Sequence, residues 1–258
     1  MQQLSDISLW GAVPVLLLFG MAVALLALTD RSFLMRIFQV TVIHVSQMLL
    51  LGGCVWLLWR LSCWWADTLW LLLTVTTVAF LLIDKARLNW YKLLLPVTVA
   101  LLAGLSLPLL ALLMSFRQAG ASLWQIFVPL AAVLVGQLYV GASRALQTYT
   151  RQLRHTQQHY QYMVANGATH LEALMPSVRR GLKAAVLPLL GQMVKPLLIV
   201  VPLLFCGLLL AGAQPVVAVV ASLLIVGASL SAQVISSVLM FCLADRFFYD
   251  AQDRFIVY

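Results

Sequence analysis

Seven long runs of apolar residues, almost free of charge, dominate this sequence and constrain its fold more than any other feature. They cover roughly residues 9–28, 37–58, 68–83, 93–116, 123–146, 185–212 and 215–244. A helix needs about 20 residues to cross the hydrocarbon core of a bilayer, and fewer where neighbours shield its ends. Because the runs are continuous and do not alternate, they indicate helices and not barrel strands. The sequence predicts an all-α, polytopic membrane protein with about seven transmembrane helices.

The composition excludes a soluble domain. The chain is 63% hydrophobic and 9% charged, with a mean hydropathy of +1.01, whereas a soluble domain carries about a quarter charged residues. Lipid must therefore be a partner of this surface. The net charge of +8 is distributed as a topology signal, so we expect no nucleic-acid partner. The four cysteines have no metal-ligand spacing, and we interpret them as small apolar core residues.

The basic residues predict the orientation in the membrane. Of 16 Lys and Arg residues, 13 fall after the first, third, fifth and seventh runs, and two fall in the alternate loops. Positively charged loops stay on the cytoplasmic side, so we expect the N-terminus outside and the C-terminus in the cytoplasm. Seven of the eight Trp residues fall near the predicted outer interface, which agrees with this topology.

The connector between the fifth and sixth runs, about residues 144–184, is the one long polar segment. Residues 147–165 predict a cytoplasmic extension of the fifth helix, which Asn166 and Gly167 should end. Thr169 is a candidate N-cap, and Glu172 would complete a capping box. Five residues of the next helix recur at a spacing that gives one apolar face. They are Leu171, Leu174, Met175, Val178 and Leu182. This helix could lie on the membrane, dock onto a soluble partner or be a solvated connector; Pro176 should kink it.

This connector and the residues that follow it resemble a known family. The sequence Asn166-Gly167-Ala168-Thr169, followed by Arg179, Lys183 and Leu187-Pro188, is similar to the Gly-Ala-Thr loop and basic helix of the FetB (YbbM) permeases. The resemblance extends from about residue 125 to the C-terminal Arg246-Phe247-Phe248-Tyr249. Those permeases are membrane subunits of bacterial ABC transporters linked to iron export, and plant relatives are linked to aluminium tolerance.

The resemblance implies one permease domain over residues 1–258, with 147–184 as a cytoplasmic helical extension and coupling helix. It implies a bacterial inner-membrane homodimer that exports a metal ion or a metal-related substrate. The chain has no Gly-Lys dipeptide and hence no Walker A loop. ATP and Mg²⁺ are therefore expected in a separate ABC ATPase subunit. We expect this chain to have no cofactor, no metal and no enzymatic activity of its own. The residues expected to couple to that ATPase are Gly167, Ala168, Thr169, Leu171, Leu174, Arg179 and Lys183.

Polar groups and helix breakers in the apolar runs suggest a substrate pathway. Lys195 is a charge inside the sixth run, with Gln192 one turn before it, and intramembrane charges are costly. Prolines in the same run would free carbonyls that could line a path. The predicted pathway residues are Gln47, Gln192, Lys195, Pro202, Cys206 and Gly207. Static kinks, snorkelling of Lys195 and interhelical hydrogen bonding by Gln47 are the structural alternatives.

Two segments limit these expectations. The family usually carries Leu-Pro-Gly-Met-Met where this chain reads Val201-Pro202-Leu203-Leu204-Phe205, so the substrate could differ. His155 and His159 have metal-ligand spacing, but no third ligand lies nearby in the sequence, and a solvated polar face is the interpretation.

An ATP-independent secondary transporter and a membrane assembly factor are the alternative functions. An intramembrane enzyme is disfavoured, because no Asp or Glu lies inside a run.

Overall fold

The structure is a computed structural model in which the described residues, 13–14, 17–23, 31–61, 63–116, 123–194 and 203–248, form helices and short turns. Residues 17–23 are helical. The labelled helices that follow are α1 (Arg31–Leu61), α2 (Trp64–Lys85), α3 (Trp90–Phe116), α4 (Leu123–His155), α5 (Gln157–Ala165), α6 (His170–Met193), α7 (Leu203–Leu210) and α8 (Pro215–Phe248). The predicted all-α class is confirmed.

Among the residues that the structure describes, five helices are long and apolar enough to cross a membrane. They are Met35–Leu61, Trp64–Lys85, Trp90–Phe116, Ile126–His155 and Pro215–Phe248. These five contain most of the second, third, fourth, fifth and seventh predicted runs. Most of the first run and residues 195–202 of the sixth lie outside the described residues. The protein is therefore a multi-pass, all-helical membrane protein, and the number of seven spans stays a prediction.

The chain divides into two compact units. One comprises residues 1–62 and 202–219, and the other comprises residues 63–201 and 220–258. In the first unit, the side chains of α1 are largely exposed although they are apolar, as on a helix whose solvent is lipid. In the second unit, α2, α3 and α4 pack on one another around a fully buried core. That core includes Val75, Leu82, Leu101, Leu134 and Leu138.

Glycines allow helices of the second unit to approach closely. A Cβ at Gly104 of α3 would lie 2.5 Å from the backbone N of Ser236 on α8, so only a residue without a side chain fits there. A Cβ at Gly141 of α4 would lie 2.5 Å from the carbonyl oxygen of Ala185 on α6. At Gly136, also on α4, nothing lies within 4 Å of such an atom. Gly141 is therefore a packing contact and Gly136 is not.

The predicted extension over 147–165 is wrong in one respect, because it is two helices. α4 ends at His155 and α5 begins at Gln157, with Thr156 between them at φ −105° and ψ 16°. The Thr156 hydroxyl donates to the carbonyl of Gln152 at 2.7 Å. Thr150 makes the same bond to Leu146 inside the unbroken part of α4, so this bond alone does not account for the break.

The predicted coupling helix and the start of the sixth run form one helix. α6 runs without interruption from His170 to Met193, with Pro176 and Pro188 inside it. A proline within a helix leaves the carbonyl four residues earlier without its usual partner, but the helix continues past both positions. The connector and the apolar half of α6 are therefore parts of one continuous helix.

Candidate functional site

The turn between α5 and α6 has the geometry that the sequence predicts. Gly167 adopts φ +87°, the left-handed region that glycine enters without strain. The Gly167 N–H donates to the carbonyl of Val164 at 3.0 Å, and the Ala168 N–H donates to the carbonyl of Met163 at 3.0 Å. These two bonds define a Schellman motif. The predicted helix stop at Asn166 and Gly167 is confirmed, and it fixes the direction in which α6 begins.

A capping box closes the first turn of α6, as predicted. The Thr169 hydroxyl accepts from the Glu172 N–H at 3.4 Å, and the Glu172 carboxylate accepts from the Thr169 N–H at 2.8 Å. Hydrogen bonds to the Glu172 carboxylate, first from the Thr169 backbone and then from the Thr169 side chain, lower its pKa below the ordinary value of 4.5. The negative charge also lies at the positive end of the helix dipole.

The lowered pKa predicts a pH dependence of this first turn. Because the folded carboxyl has the lower pKa, its stabilisation is present above pH 4.5 and is lost as the pH falls through the folded value. Amide hydrogen exchange of residues 170–173, corrected for intrinsic rates, should show protection that declines below pH 4.5. The Glu172→Gln variant should show no such step, and an equal step in that variant would contradict the assignment to Glu172.

The outer face of α6 carries an exposed stripe at a spacing of four residues. It consists of Leu171, Met175, Arg179 and Lys183, which we name the α6 stripe. Leu171 is 71% exposed and Met175 is 45% exposed, and both basic residues are exposed. Two apolar side chains are thus followed along the helix by two positive charges. Such a surface suits a partner with an apolar pocket beside acidic groups.

The inner face of α6 is packed, and it includes one residue that the sequence grouped with the exposed ones. Leu174 is 3% exposed, so it supports the helix from inside and does not present itself to a partner. A Cβ at Gly181 would lie 2.7 Å from the ring of Phe241 on α8 and 3.3 Å from Tyr149 Cβ on α4. The Arg180 guanidinium also donates to the Gln152 amide oxygen at 2.6 Å. These contacts hold α6 against α4 and α8.

A hydrogen-bonded cluster at the start of α6 was not predicted from the sequence. His170 Nε2 lies 2.7 Å from Asp245 Oδ2 on α8, and His170 Nδ1 lies 2.6 Å from the Tyr160 hydroxyl on α5. The Tyr149 hydroxyl of α4 lies 3.4 Å from Asp245 Oδ1. One signal could have pointed to it, since Asp245 is the single acidic residue between Pro215 and Phe248. Its partners are too distant in sequence to be paired by inspection.

Each predicted pathway residue lies either within one of the two units or outside the described residues. Lys195 and Pro202 lie outside the described residues. Gln192 is exposed near the end of α6, in the second unit. In the first unit, Gln47 is exposed on α1 and Cys206 is half-buried on α7. Gly207, beside Cys206, is exposed, and a Cβ there would meet nothing within 4 Å.

A polar cavity that the sequence analysis missed lies between α4, α6 and α8. Its polar lining residues are Gln137, Ser229 and Gln233, and Pro188 and Gly141 also border it. Ser229 and Gln233 are buried within apolar helices. With one amide orientation, the Gln233 side chain accepts from the Ala142 N–H at 2.8 Å. The cavity has room for about one water molecule.

Metal-ligating side chains are not grouped in the described part of the chain. Within residues 31–61, 63–116, 123–194 and 203–248, no three His, Cys, Asp or Glu side chains come together in a way that could hold an ion. His155 and His159, which have ligand spacing in the sequence, are both exposed.

Together, the apolar helices define a multi-pass, all-helical membrane protein. A family model matches residues 10–249, and its description is uncharacterised protein family UPF0014. The chain belongs to this family, which is ABC-transporter-permease-like and includes YbbM and FetB. No curated protein and no solved structure matches the chain.

Proposed function

We propose that this protein is the membrane-spanning permease subunit of an ABC transporter, and that a separate ATPase subunit docks on the α6 stripe. The observation that carries the proposal is the exposed stripe at the start of a helix that continues, unbroken, into an apolar bundle. Family membership supports a transport role. The absence of any Gly-Lys dipeptide means that this chain has no Walker A loop of its own.

The charge of the stripe supports a cytoplasmic position and an acidic partner. Arg179 and Lys183 are exposed, and basic segments near membrane helices remain in the cytoplasm, where ATP is available. ATP and Mg²⁺ would be bound by the ATPase. A second copy of this chain would complete the membrane part, because an ABC transporter has two membrane halves. The resemblance to the FetB (YbbM) permeases supports export of a metal ion or metal-related substrate across a bacterial inner membrane.

The charge pair provides a direct test. The chain would be co-expressed with ABC ATPase subunits of its source organism, and the amount of ATPase retained on the purified, tagged chain would be measured at two salt concentrations. We expect Arg179→Ala combined with Lys183→Ala to lower retention about fivefold at low salt and less at high salt, because added ions screen the lost attraction.

A matched control removes the same number of charges from the neighbouring helix. Arg151 and Arg154 are exposed on α4, so Arg151→Ala combined with Arg154→Ala should retain the ATPase at the unmodified level. Equal losses for both pairs would mean that net charge, and not the α6 stripe, attracts the partner. Retention of no ATPase subunit by the unmodified chain would overturn the proposed function itself.

A further inference from the structure

The cluster around His170 connects four helices at one end of the second unit. His170 is the first residue of α6, Tyr160 lies on α5, Tyr149 on α4, and Asp245 lies near the end of α8. His170 and Asp245 are 75 residues apart in the sequence, and their side chains meet at 2.7 Å. The start of the helix with the exposed stripe is therefore bonded directly to the end of the last apolar helix.

The protons of this cluster can be assigned from its acceptors. A carboxylate only accepts hydrogen bonds. His170 Nε2 therefore carries a proton and donates a hydrogen bond to Asp245 Oδ2. When the imidazole is neutral, Nδ1 accepts from the Tyr160 hydroxyl at 2.6 Å. The Tyr149 hydroxyl donates to the second carboxylate oxygen at 3.4 Å. Both nitrogens of His170 and both carboxylate oxygens of Asp245 thus take part in one continuous series of hydrogen bonds.

The cluster is tightly packed beside Tyr149, whereas His170 and Asp245 are partly exposed. The Tyr149 ring stacks on Phe241 with centroids 4.4 Å apart, and Phe241 lies against Gly181 of α6. This part of the contact between α6 and α8 is fully packed. The side chains of His170 and Asp245 are 37% and 15% exposed. Water can reach the pair, so opening it leaves no fully buried, unpaired charge.

We propose that His170 and Asp245 are positioning residues that transmit movement of the α6 stripe to α8. This inference rests on the proposed function, because it assigns a route for the motion that ATP binding in the partner would start. The pair lies beside the stripe and is not part of it. The ATPase can therefore dock without the pair, but the movement of α8 that its hydrolysis cycle requires does not follow, so hydrolysis slows.

Three variants test the pair in the full chain, purified with its ATPase and reconstituted in lipid nanodiscs. His170→Phe keeps a ring beside Tyr160 and removes both nitrogens, and Asp245→Asn removes the charge with little change in shape. Each should retain the ATPase within twofold of the unmodified chain, while ATP hydrolysis per bound ATPase falls at least fivefold. The exchange variant, His170→Asp with Asp245→His, restores the pair and should regain more than half of the lost rate.

Two results would overturn the proposal. One is a hydrolysis rate in both single variants equal to that of the unmodified chain. The other is a loss of retained ATPase in proportion to the loss of hydrolysis, because a residue needed only for docking or folding would behave in this way. The unmodified chain separates this failure from that of the proposed function, since a chain that retains no ATPase refutes both. Hydrogen exchange of residues 240–248 in the chain alone is a second readout: it should rise in His170→Phe, and unchanged exchange would also refute the link.

Discussion

Replacing Leu171 by aspartate is expected to reduce the ATPase retained by the purified chain more than tenfold. Leu171 is 71% exposed at the start of the α6 stripe, so the substitution leaves the packing of this chain unchanged. In the complex, burial of a leucine side chain contributes about 1.5–3 kcal/mol, and each 1.4 kcal/mol corresponds to about a tenfold change in affinity. A carboxylate in the same pocket would also have to be desolvated beside acidic partner groups.

Gln161 offers the matched control for this prediction. It is exposed on the adjacent helix α5, so Gln161→Asp introduces the same side chain outside the α6 stripe and should leave retention within twofold. Leu171→Met, which keeps an apolar side chain of similar volume, should also retain the ATPase. Leu174→Asp is less informative, because Leu174 is buried and its loss would disturb α6 itself. Equal retention by Leu171→Asp and the unmodified chain would exclude docking at this face.

The second large effect is expected inside the membrane bundle, at Gly104. Even the single methyl group of Gly104→Ala would lie 2.5 Å from the Ser236 backbone N and 2.6 Å from Ser236 Cα. Backbone atoms cannot rotate away, so α3 and α8 must separate. Overpacking of this kind costs about 1–3 kcal/mol, and we expect the upper end of that range. The apparent unfolding temperature in detergent, at a fixed scan rate, should fall by roughly 6–10 °C.

Gly136→Ala is the control, because it makes the same chemical change at a helical position that has no close contact. Nothing lies within 4 Å of a Cβ at Gly136, and alanine favours a helix by about 1 kcal/mol relative to glycine. Its unfolding temperature should therefore stay the same or rise. Similar falls for both variants would show that glycine is needed for a reason other than the contact between Gly104 and Ser236.

The parts of this structure that depend on neighbours in sequence could be predicted. The Schellman turn at Gly167 and the capping box between Thr169 and Glu172 involve residues at most five positions apart, and their residue types specify the geometry. The long apolar runs likewise predict membrane helices, because a bilayer admits few alternatives. The break at Thr156 was missed, since residues 147–165 are good helix formers and no glycine or proline marks an end within them.

Features that depend on packing could not be predicted. An apolar period identifies one face of α6, but it does not separate Leu171, which is exposed, from Leu174, which is buried. That difference depends on where α4 and α8 lie. The bond between His170 and Asp245 joins residues 75 positions apart, and no periodicity relates them. The intramembrane cavity at Gln137 and Gln233 arises in the same way, from three helices that meet only in the fold.

An ATPase can reach the α6 stripe only if the stripe faces the cytoplasm. This orientation can be measured by labelling Leu171→Cys with a membrane-impermeant maleimide, in a chain whose four native cysteines are replaced by serine. We expect labelling of inside-out vesicles and none in intact cells. Labelling of intact cells would place the stripe on the outer face, beyond the reach of any ATP-hydrolysing partner, and would contradict the mechanism.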